Sequence, residues 1–383
     1  MCIFKMFLFN ILRKFISLFS KIFMIKADRI LFTAFNGTQY TCNPKYITEY
    51  LLKYSHKKIE YIWVLNNNYN GLHTEITTVK FMSLKYYYYY LTSRIIITNM
   101  GFKSVFKKPK NQFRIETWHG GGSYKKTDLN IIKDKFVEYK YKTVTNEIDY
   151  YVSSCKKFIE NMNSAQFVAV NKFLKIGMPR NDIFFNKTKK EITNRKIRKI
   201  YRLKENWKVI LYAPTWRDDG RSLEVKDISE IVKYLNKISK VRYILLCRAH
   251  YSGKLVNSNE EDCIDVTDYP DMQELLCAAD ILITDYSSCM WDFSLMYKPC
   301  FIYATDIDQY KQERDFYTPM SEWPFPIATN TDELINNILN FNQEEYIEKV
   351  KKHHKALGSF EDGHACEHIC KLIEDIIDGK VEN

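Results

Sequence analysis

Two successive series of short apolar runs, each closing on a turn-forming residue and followed by helix-like sequence, predict an α/β protein of two Rossmann-like domains facing a cleft. The length agrees, because 383 residues exceed what one ordinary core holds. So does the composition: 46% apolar residues can fill two cores, and 27% charged residues suit a folded chain rather than a disordered one.

The first 26 residues stand apart. Residues 7–23 place Asn10, Arg13, Lys14, Ser17, Ser20 and Lys21 on one helical arc. Phe7, Leu8, Ile11, Leu12, Phe15, Ile16, Leu18, Phe19, Ile22 and Phe23 fill the other side. Three basic residues interrupt the run, which a spanning helix does not favour. No small-residue cleavage site follows. The segment 1–26 therefore reads as an in-plane amphipathic helix, with aromatics in the acyl boundary and Arg13, Lys14 and Lys21 at anionic headgroups.

The first β/α series follows. Arg29–Phe35 is a predicted strand, broken by Asn36-Gly37. Pro44–Tyr54 is a predicted helix with Asn43 as its N-cap. Residues 59–65, 79–81, 94–99, 113–118, 150–154 and 173–177 continue as strands, with a Tyr-rich helix over 85–92. Residues 186–206 read as helix and linker, so the domains are expected at 27–200 and 201–383. The second series has strands at 209–213, 243–247, 263–266, 281–284 and 300–303, and terminal helices from about 331. Open α/β sheets bind ligands at the carboxyl ends of their strands, and two of them imply a cleft.

The net charge of +11 draws in anionic lipid, phosphorylated substrates or nucleic acid. Nucleic acid is disfavoured, because neither zinc-finger spacing nor an RNA-binding aromatic signature is present. The 10 Cys are scattered and form no C-x-x-C, so they read as reduced core residues. No metal site is expected. Asp306-Ile307-Asp308 reads as a solvated loop, and one helix cannot aim His364, Cys366, His368 and Cys370 at one ion.

Several strand ends carry chemistry. Residues 115–118 run into His119-Gly120-Gly121-Gly122, where a His can take a proton from an attacking hydroxyl. Glycines at 120 and 121 let backbone approach an anion. Gly177-Met178-Pro179-Arg180-Asn181-Asp182 follows another strand and could aim Arg180 into the cleft, though a surface turn explains it equally well. Pro214-Thr215-Trp216-Arg217 offers a guanidinium fork for phosphate, or a surface arginine paired with Asp218 or Asp219. Arg248-Ala249-His250 ends the next strand. Thr284-Asp285-Tyr286-Ser287-Ser288 leads into a helix whose N-terminus suits phosphate, with Ser capping as the simpler role.

Taken together and in order, these motifs resemble the CDP-glycerol glycerophosphotransferase family, which includes teichoic acid primases and polymerases and capsule enzymes. The resemblance spans residues 29–375. It also rests on Asn43-Pro44-Lys45-Tyr46-Ile47, Thr117-Trp118-His119-Gly120, Asp292-Phe293, Lys298-Pro299 and Asp362-Gly363. It implies a GT-B-like fold, with the acceptor on the N-terminal domain and a CDP-glycerol or other CDP-polyol donor on the C-terminal one. It further implies transfer without metal or cofactor, to a lipid-linked glycan at the cytoplasmic face of the cell membrane. His119 would be the base. Arg217, Arg248, His250, Ser287 and Ser288 would hold the pyrophosphate and stabilise leaving CMP, with Arg180, Asp285 and Asp292 also at the substrates. Family members often have His-Gly-Thr-Pro where this chain has His119-Gly120-Gly121-Gly122, and Arg-Met-His-Pro where it has Arg248-Ala249-His250-Tyr251. The rival readings are a nucleotide-sugar glycosyltransferase or epimerase of the same fold, and a non-catalytic glycan-binding protein.

Overall fold

The structure, a computed structural model, describes residues 2–102, 105–215, 225–249 and 262–382. It divides into two compact units. One comprises Met1–His119, Thr127–Asp182 and Ser359–Asn383, and the other Gly120–Lys126 and Ile183–Gly358. The main break therefore falls after Asp182 rather than after residue 200, and the last segment returns to the first unit.

The first unit begins with helix α1 (Cys2–Ser20), β1 (Lys26–Thr33), α2 (Cys42–Tyr54), β2 (Glu60–Val64), β3 (Ile76–Val79), α3 (Leu84–Thr92) and β4 (Ser93–Thr98). It continues with β5 (Phe113–Glu116), α4 (Lys135–Thr145), β6 (Tyr150–Ser153), α5 (Lys156–Gln166) and β7 (Phe173–Lys175). The strands form a seven-stranded sheet in the order β3-β2-β1-β4-β5-β6-β7. Neighbours pair in parallel, as in Leu31↔Ile62 and Ile97↔Ile115. Runs such as Ile95–Ile97 are apolar throughout because both faces of a parallel sheet are covered.

The second unit contains α6 (Lys187–Ile200), β8 (Lys208–Tyr212), α7 (Val225–Ile238), β9 (Tyr243–Cys247), β10 (Cys263–Asp265), α8 (Met272–Ala278) and β11 (Ile281–Thr284). It goes on through α9 (Cys289–Ser294), β12 (Cys300–Tyr303), α10 (Ile307–Glu313), β13 (Ile327–Ala328), α11 (Thr331–Leu339) and α12 (Gln343–Leu357). Its six strands are ordered β10-β9-β8-β11-β12-β13, also in parallel. The order reverses between β1 and β4 in the first sheet and between β8 and β11 in the second. Such reversals open a crevice at the strand ends, where ligands bind.

Helix α13 (Ala365–Ile377) belongs to the first unit and packs on α2. Burial of Ile369, Cys370, Ile373 and Ile376 seats it there. Three local expectations differ. Thr41, not Asn43, precedes α2 as its cap. Strand β3 lies at 76–79 rather than 79–81. Asp306-Ile307-Asp308 opens α10 instead of forming a loop, with the Asp306 carboxylate accepting from Tyr286 Oη at 3.0 Å. His364 precedes α13 and stays exposed beside Glu367, while Cys366 is buried within that helix.

Helix α1 forms as expected, and no described helix is long and apolar enough to cross a membrane. Its polar arc, however, also serves a second purpose. Arg13 is buried and pairs with Glu147, Asn10 bonds Tyr139, and Phe9 meets the edges of Phe136 and Tyr139 on α4. Arg13 therefore holds the helix to the protein instead of meeting headgroups. The opposite arc, with Phe4, Phe7, Leu8, Ile11, Phe15 and Leu18, is exposed.

Candidate active site

The four residues of β5 are buried, and the chain leaves the ladder at Thr117. Trp118 adopts φ +50°, a left-handed conformation that a bulky residue takes only under tight constraint. Two clamps supply it. The Trp118 amide donates to Glu116 Oε1 at 2.8 Å, and the Trp118 carbonyl accepts from Asn43 Nδ2 at 3.0 Å. The turn delivers His119 half-buried at the carboxyl edge of the sheet. Its imidazole stacks on Trp118 at 4.5 Å and meets Phe35 at 5.6 Å.

His119 Nδ1 lies 2.7 Å from the carbonyl oxygen of Asn99, just past β4. A carbonyl only accepts, so Nδ1 carries the hydrogen and the neutral ring has its lone pair on Nε2. Asn99 also binds the Phe35 amide through its side-chain oxygen at 2.9 Å. One residue thus sets both the tautomer of the imidazole and the loop that carries an aromatic neighbour.

Behind this turn sits Glu116, with no exposed surface. Its Oε2 accepts from the Gly101 amide at 2.8 Å, so the carboxyl joins the loop after β4 to the loop after β5. Burial pushes its pKa up to about 8, against the lowering effect of the Trp118, Gly101 and Thr117 amides.

Arg180 is also nearly buried. Its guanidinium donates to the backbone carbonyl of His119 at 2.7 Å and reaches Cys42 Sγ at 3.2 Å, while its amide donates to Asn43 Oδ1 at 3.1 Å. The rest of the motif is equally occupied. Met178 N and Asn181 Nδ2 each donate to Glu361 at 3.0 Å, and Asp182 accepts from the first amides of α13, Ala365 and Cys366. The turn, read in the sequence either as one that could aim Arg180 into the cleft or as a surface turn, holds His119 and anchors α13.

In the second unit, Gly121 and Gly122 lie flat on Trp291. A Cβ on Gly121 would come within 2.2 Å of Trp291 Cδ1, and one on Gly122 within 2.8 Å of Cε3. Gly122 also has φ +70°. Close packing, rather than room for an anion, explains glycine at 121 and 122, and Gly120 is half-buried at the start of the run. Trp291 stacks on His354, which bonds Ser294 at 2.7 Å, and Tyr124 bonds His353 at 3.0 Å. Burial lowers both histidines to about 4, so they are neutral packing groups at physiological pH.

The other second-unit candidates gather at the ends of β8, β9 and β11. The Arg248 amide donates to Tyr212 O at 2.9 Å, and its guanidinium lies 3.5 Å from Pro270 O and Met272 Sδ. Burial lowers its pKa while Asp271 opposes the shift. An arginine remains protonated under such a shift. Asp285 is fully buried and accepts from the Thr215 amide at 2.8 Å, fixing the start of the Pro214-Thr215 loop. Ser287 and Ser288 are half-exposed. Ser287 Oγ accepts from Cys289 N at 3.4 Å, whereas Ser288 makes no capping bond to α9. Asp292 is buried and accepts from Gln273 Nε2 at 2.9 Å, which ties α8 to α9. Arg217 and His250 lie outside the described residues.

Three features escaped sequence reasoning: the Asn99 carbonyl, the Glu116 clamp, and a pocket of about 530 Å³ with Trp118 and His119 in its wall. Glu116 had a signal, since a carboxylate in an otherwise apolar buried strand needs a dedicated partner.

The chain matches the family model described as CDP-Glycerol:Poly(glycerophosphate) glycerophosphotransferase over residues 14–375. It is 34% identical over 366 residues to a teichoic acid poly(glycerol phosphate) polymerase of Staphylococcus epidermidis, covering 91% of this chain but only 51% of that protein. It is 31% identical to a teichoic acid glycerol-phosphate transferase of Staphylococcus aureus, covering 90% of this chain and 92% of that one. The solved wall teichoic acid polymerase TagF is similar with a TM-score of 0.83 at 32% identity, over 94% of this chain and 91% of that chain. A UDP-GlcNAc 2-epimerase from Neisseria meningitidis, at 11% identity and a TM-score of 0.54, shares the fold alone. With its two parallel sheets and a family match from one end of the pair to the other, this chain belongs to the CDP-glycerol:poly(glycerophosphate) glycerophosphotransferase family.

Proposed function

We propose that the protein transfers glycerol phosphate, or a related polyol phosphate, from a CDP-activated donor to a hydroxyl of a lipid-linked cell-surface glycan, releasing CMP. The observation that carries the reading is the His119 tautomer: with Nδ1–H held on Asn99 O, Nε2 is the basic nitrogen. The acceptor oxygen attacks the glycerol-bearing phosphorus as its proton passes to Nε2. The bond from that phosphorus to the bridging oxygen breaks, and the electron pair leaves on CMP. Transfer of this kind needs positioning and charge stabilisation more than covalent help. Arg248, Ser287 and Ser288, with Arg217 and His250 from the sequence motifs, are the groups proposed to neutralise the leaving phosphate. The donor reading gains support from family membership and from the relative TagF, whose solved structures include one soaked with CDPG.

On this reading the first unit is the acceptor side and the second the donor side. Helix α1 rests on the cytoplasmic face of the membrane, its exposed apolar arc in the acyl boundary. The decisive experiment measures CMP release by the purified protein from CDP-glycerol and CDP-ribitol, with lipid-linked glycan acceptors. Acceptor-dependent release that disappears in His119→Ala is expected. Undiminished release in a folded His119→Ala protein would remove the base assignment, and no release from any CDP-polyol would remove the reading.

A further inference from the structure

The pocket beside His119 has its own character. Phe9, Phe102, Val105, Phe136, Val144 and Ile148 make its wall largely apolar, Lys140 adds a cation, and Asp128 adds a carboxylate already bonded by Tyr141 Oη at 2.6 Å and Gln166 Nε2 at 2.9 Å. Phe9 comes from α1, and the wall beyond it from α4 and the loop after β4. At 530 Å³ it is about 10 Å across if compact, the size of a small-ligand site. An apolar pocket in contact with a basic imidazole is not what a purely polar acceptor needs.

What would fill it follows from α1. The face of α1 opposite the pocket exposes Phe4, Phe7, Leu8, Ile11, Phe15 and Leu18. A helix is about 10 Å thick, so the pocket lies roughly one helix beneath a surface suited to lipid. Lys140, in the pocket wall, has its ammonium 5.6 Å from the Phe136 ring. Hydrocarbon, one phosphate and one reactive hydroxyl are the chemistries these walls recognise together.

We propose that this pocket seats the hydrocarbon end of the acceptor, so that the hydroxyl presented to His119 lies only one or two polar units from the lipid chain. The inference rests on the transfer reading above and narrows it: the chain acts on lipid-proximal acceptors in preference to the far end of a long polymer. A hydroxyl many units out would leave the pocket empty and forgo the burial of several methylenes.

The test uses the full-length protein, CDP-glycerol and decyl-linked acceptors with one, three or six glycerol phosphate units. The expected kcat/KM is highest for one unit and at least about tenfold lower for six, the loss of little more than 1.4 kcal/mol of binding. Decyl phosphate should inhibit competitively against the acceptor and not against CDP-glycerol. Val144→Trp, which fills the pocket, should lower kcat/KM for the one-unit acceptor by about tenfold and abolish that inhibition, in line with lost apolar burial. A rate that is level or rising with spacer length overturns the inference, and so does decyl phosphate inhibition that is not competitive with acceptor. Both wild-type measurements stand even if Val144→Trp fails to fold. Absence of CMP release with every acceptor overturns the transfer reading as well.

Discussion

The guanidinium of Arg180 donates to the main-chain carbonyl of His119 across 2.7 Å. A residue from a strand-end motif thereby fixes the imidazole's own backbone. Displacement of a reacting group by an ångström costs about a hundredfold in rate. Arg180→Ala is therefore expected to lower kcat by roughly that factor while leaving the KM for donor within about twofold, since the donor is proposed to bind the second unit. Arg180→Lys should recover only part of the rate, because one ammonium cannot serve the carbonyl and Cys42 with the same fork. A donor KM that rises while kcat holds would return Arg180 to substrate binding.

Glu116 makes stability depend on pH. Its folded pKa of about 8 lies above the ordinary carboxyl value of 4.5. Between those values the native state binds more protons than the unfolded chain, so this group's contribution falls as pH rises through that window and levels off above it. Glu116→Gln cannot ionise. The melting temperature of the wild type relative to Glu116→Gln should drop steadily from pH 5 to pH 8. A difference that stays constant over that range would show that the carboxyl is not protonated in the fold.

Gly121→Ala should destabilise the protein by about 1–3 kcal/mol through overpacking against the indole of Trp291. Trp291→Leu alone should also cost stability. The double variant should be more stable than the sum of the two, with a coupling of about 0.5–3 kcal/mol in denaturant melts. Additivity would mean the glycine is required for some other reason.

Arg13 and Lys14 are neighbours with different tasks. Arg13→Gln breaks the buried pair with Glu147 and should lower stability by about 1–3 kcal/mol. Lys14→Gln should leave the melt unchanged yet weaken sedimentation with phosphatidylglycerol vesicles, and not with phosphatidylcholine vesicles, an effect suppressed by salt. Equal vesicle defects in both variants, with no stability loss in Arg13→Gln, would contradict the docking of α1.

The sheets were legible in the sequence because parallel strands are apolar on both faces, so runs such as 95–97 and 209–213 announce themselves. His119 was legible for the same reason: it follows such a run directly. What surrounds it was not. Asn43 has the local context of a helix cap, and only the folded chain reveals that its amide holds Thr117 and Trp118 carbonyls 74 and 75 residues away. Gly121 reads as room for an anion, because nothing near it in sequence foretells the indole of Trp291. Arg13 reads as a headgroup contact, since a basic residue on an amphipathic helix looks the same whether it meets lipid or Glu147. In each case the signal lies in a long-range partner, which local pattern does not encode.

The return of α13 has a temporal side. The residues that brace the Met178–Asp182 turn, Glu361 and the α13 amides, leave the ribosome only after all of 183–358. Segments of a nascent chain tend to fold in the order they emerge. The unit bearing His119 therefore starts first and finishes last, waiting through the synthesis of its neighbour for the helix that completes it. A message cut short before residue 359 would yield a second unit with its own residues in place and a first unit held open at the turn that carries Arg180.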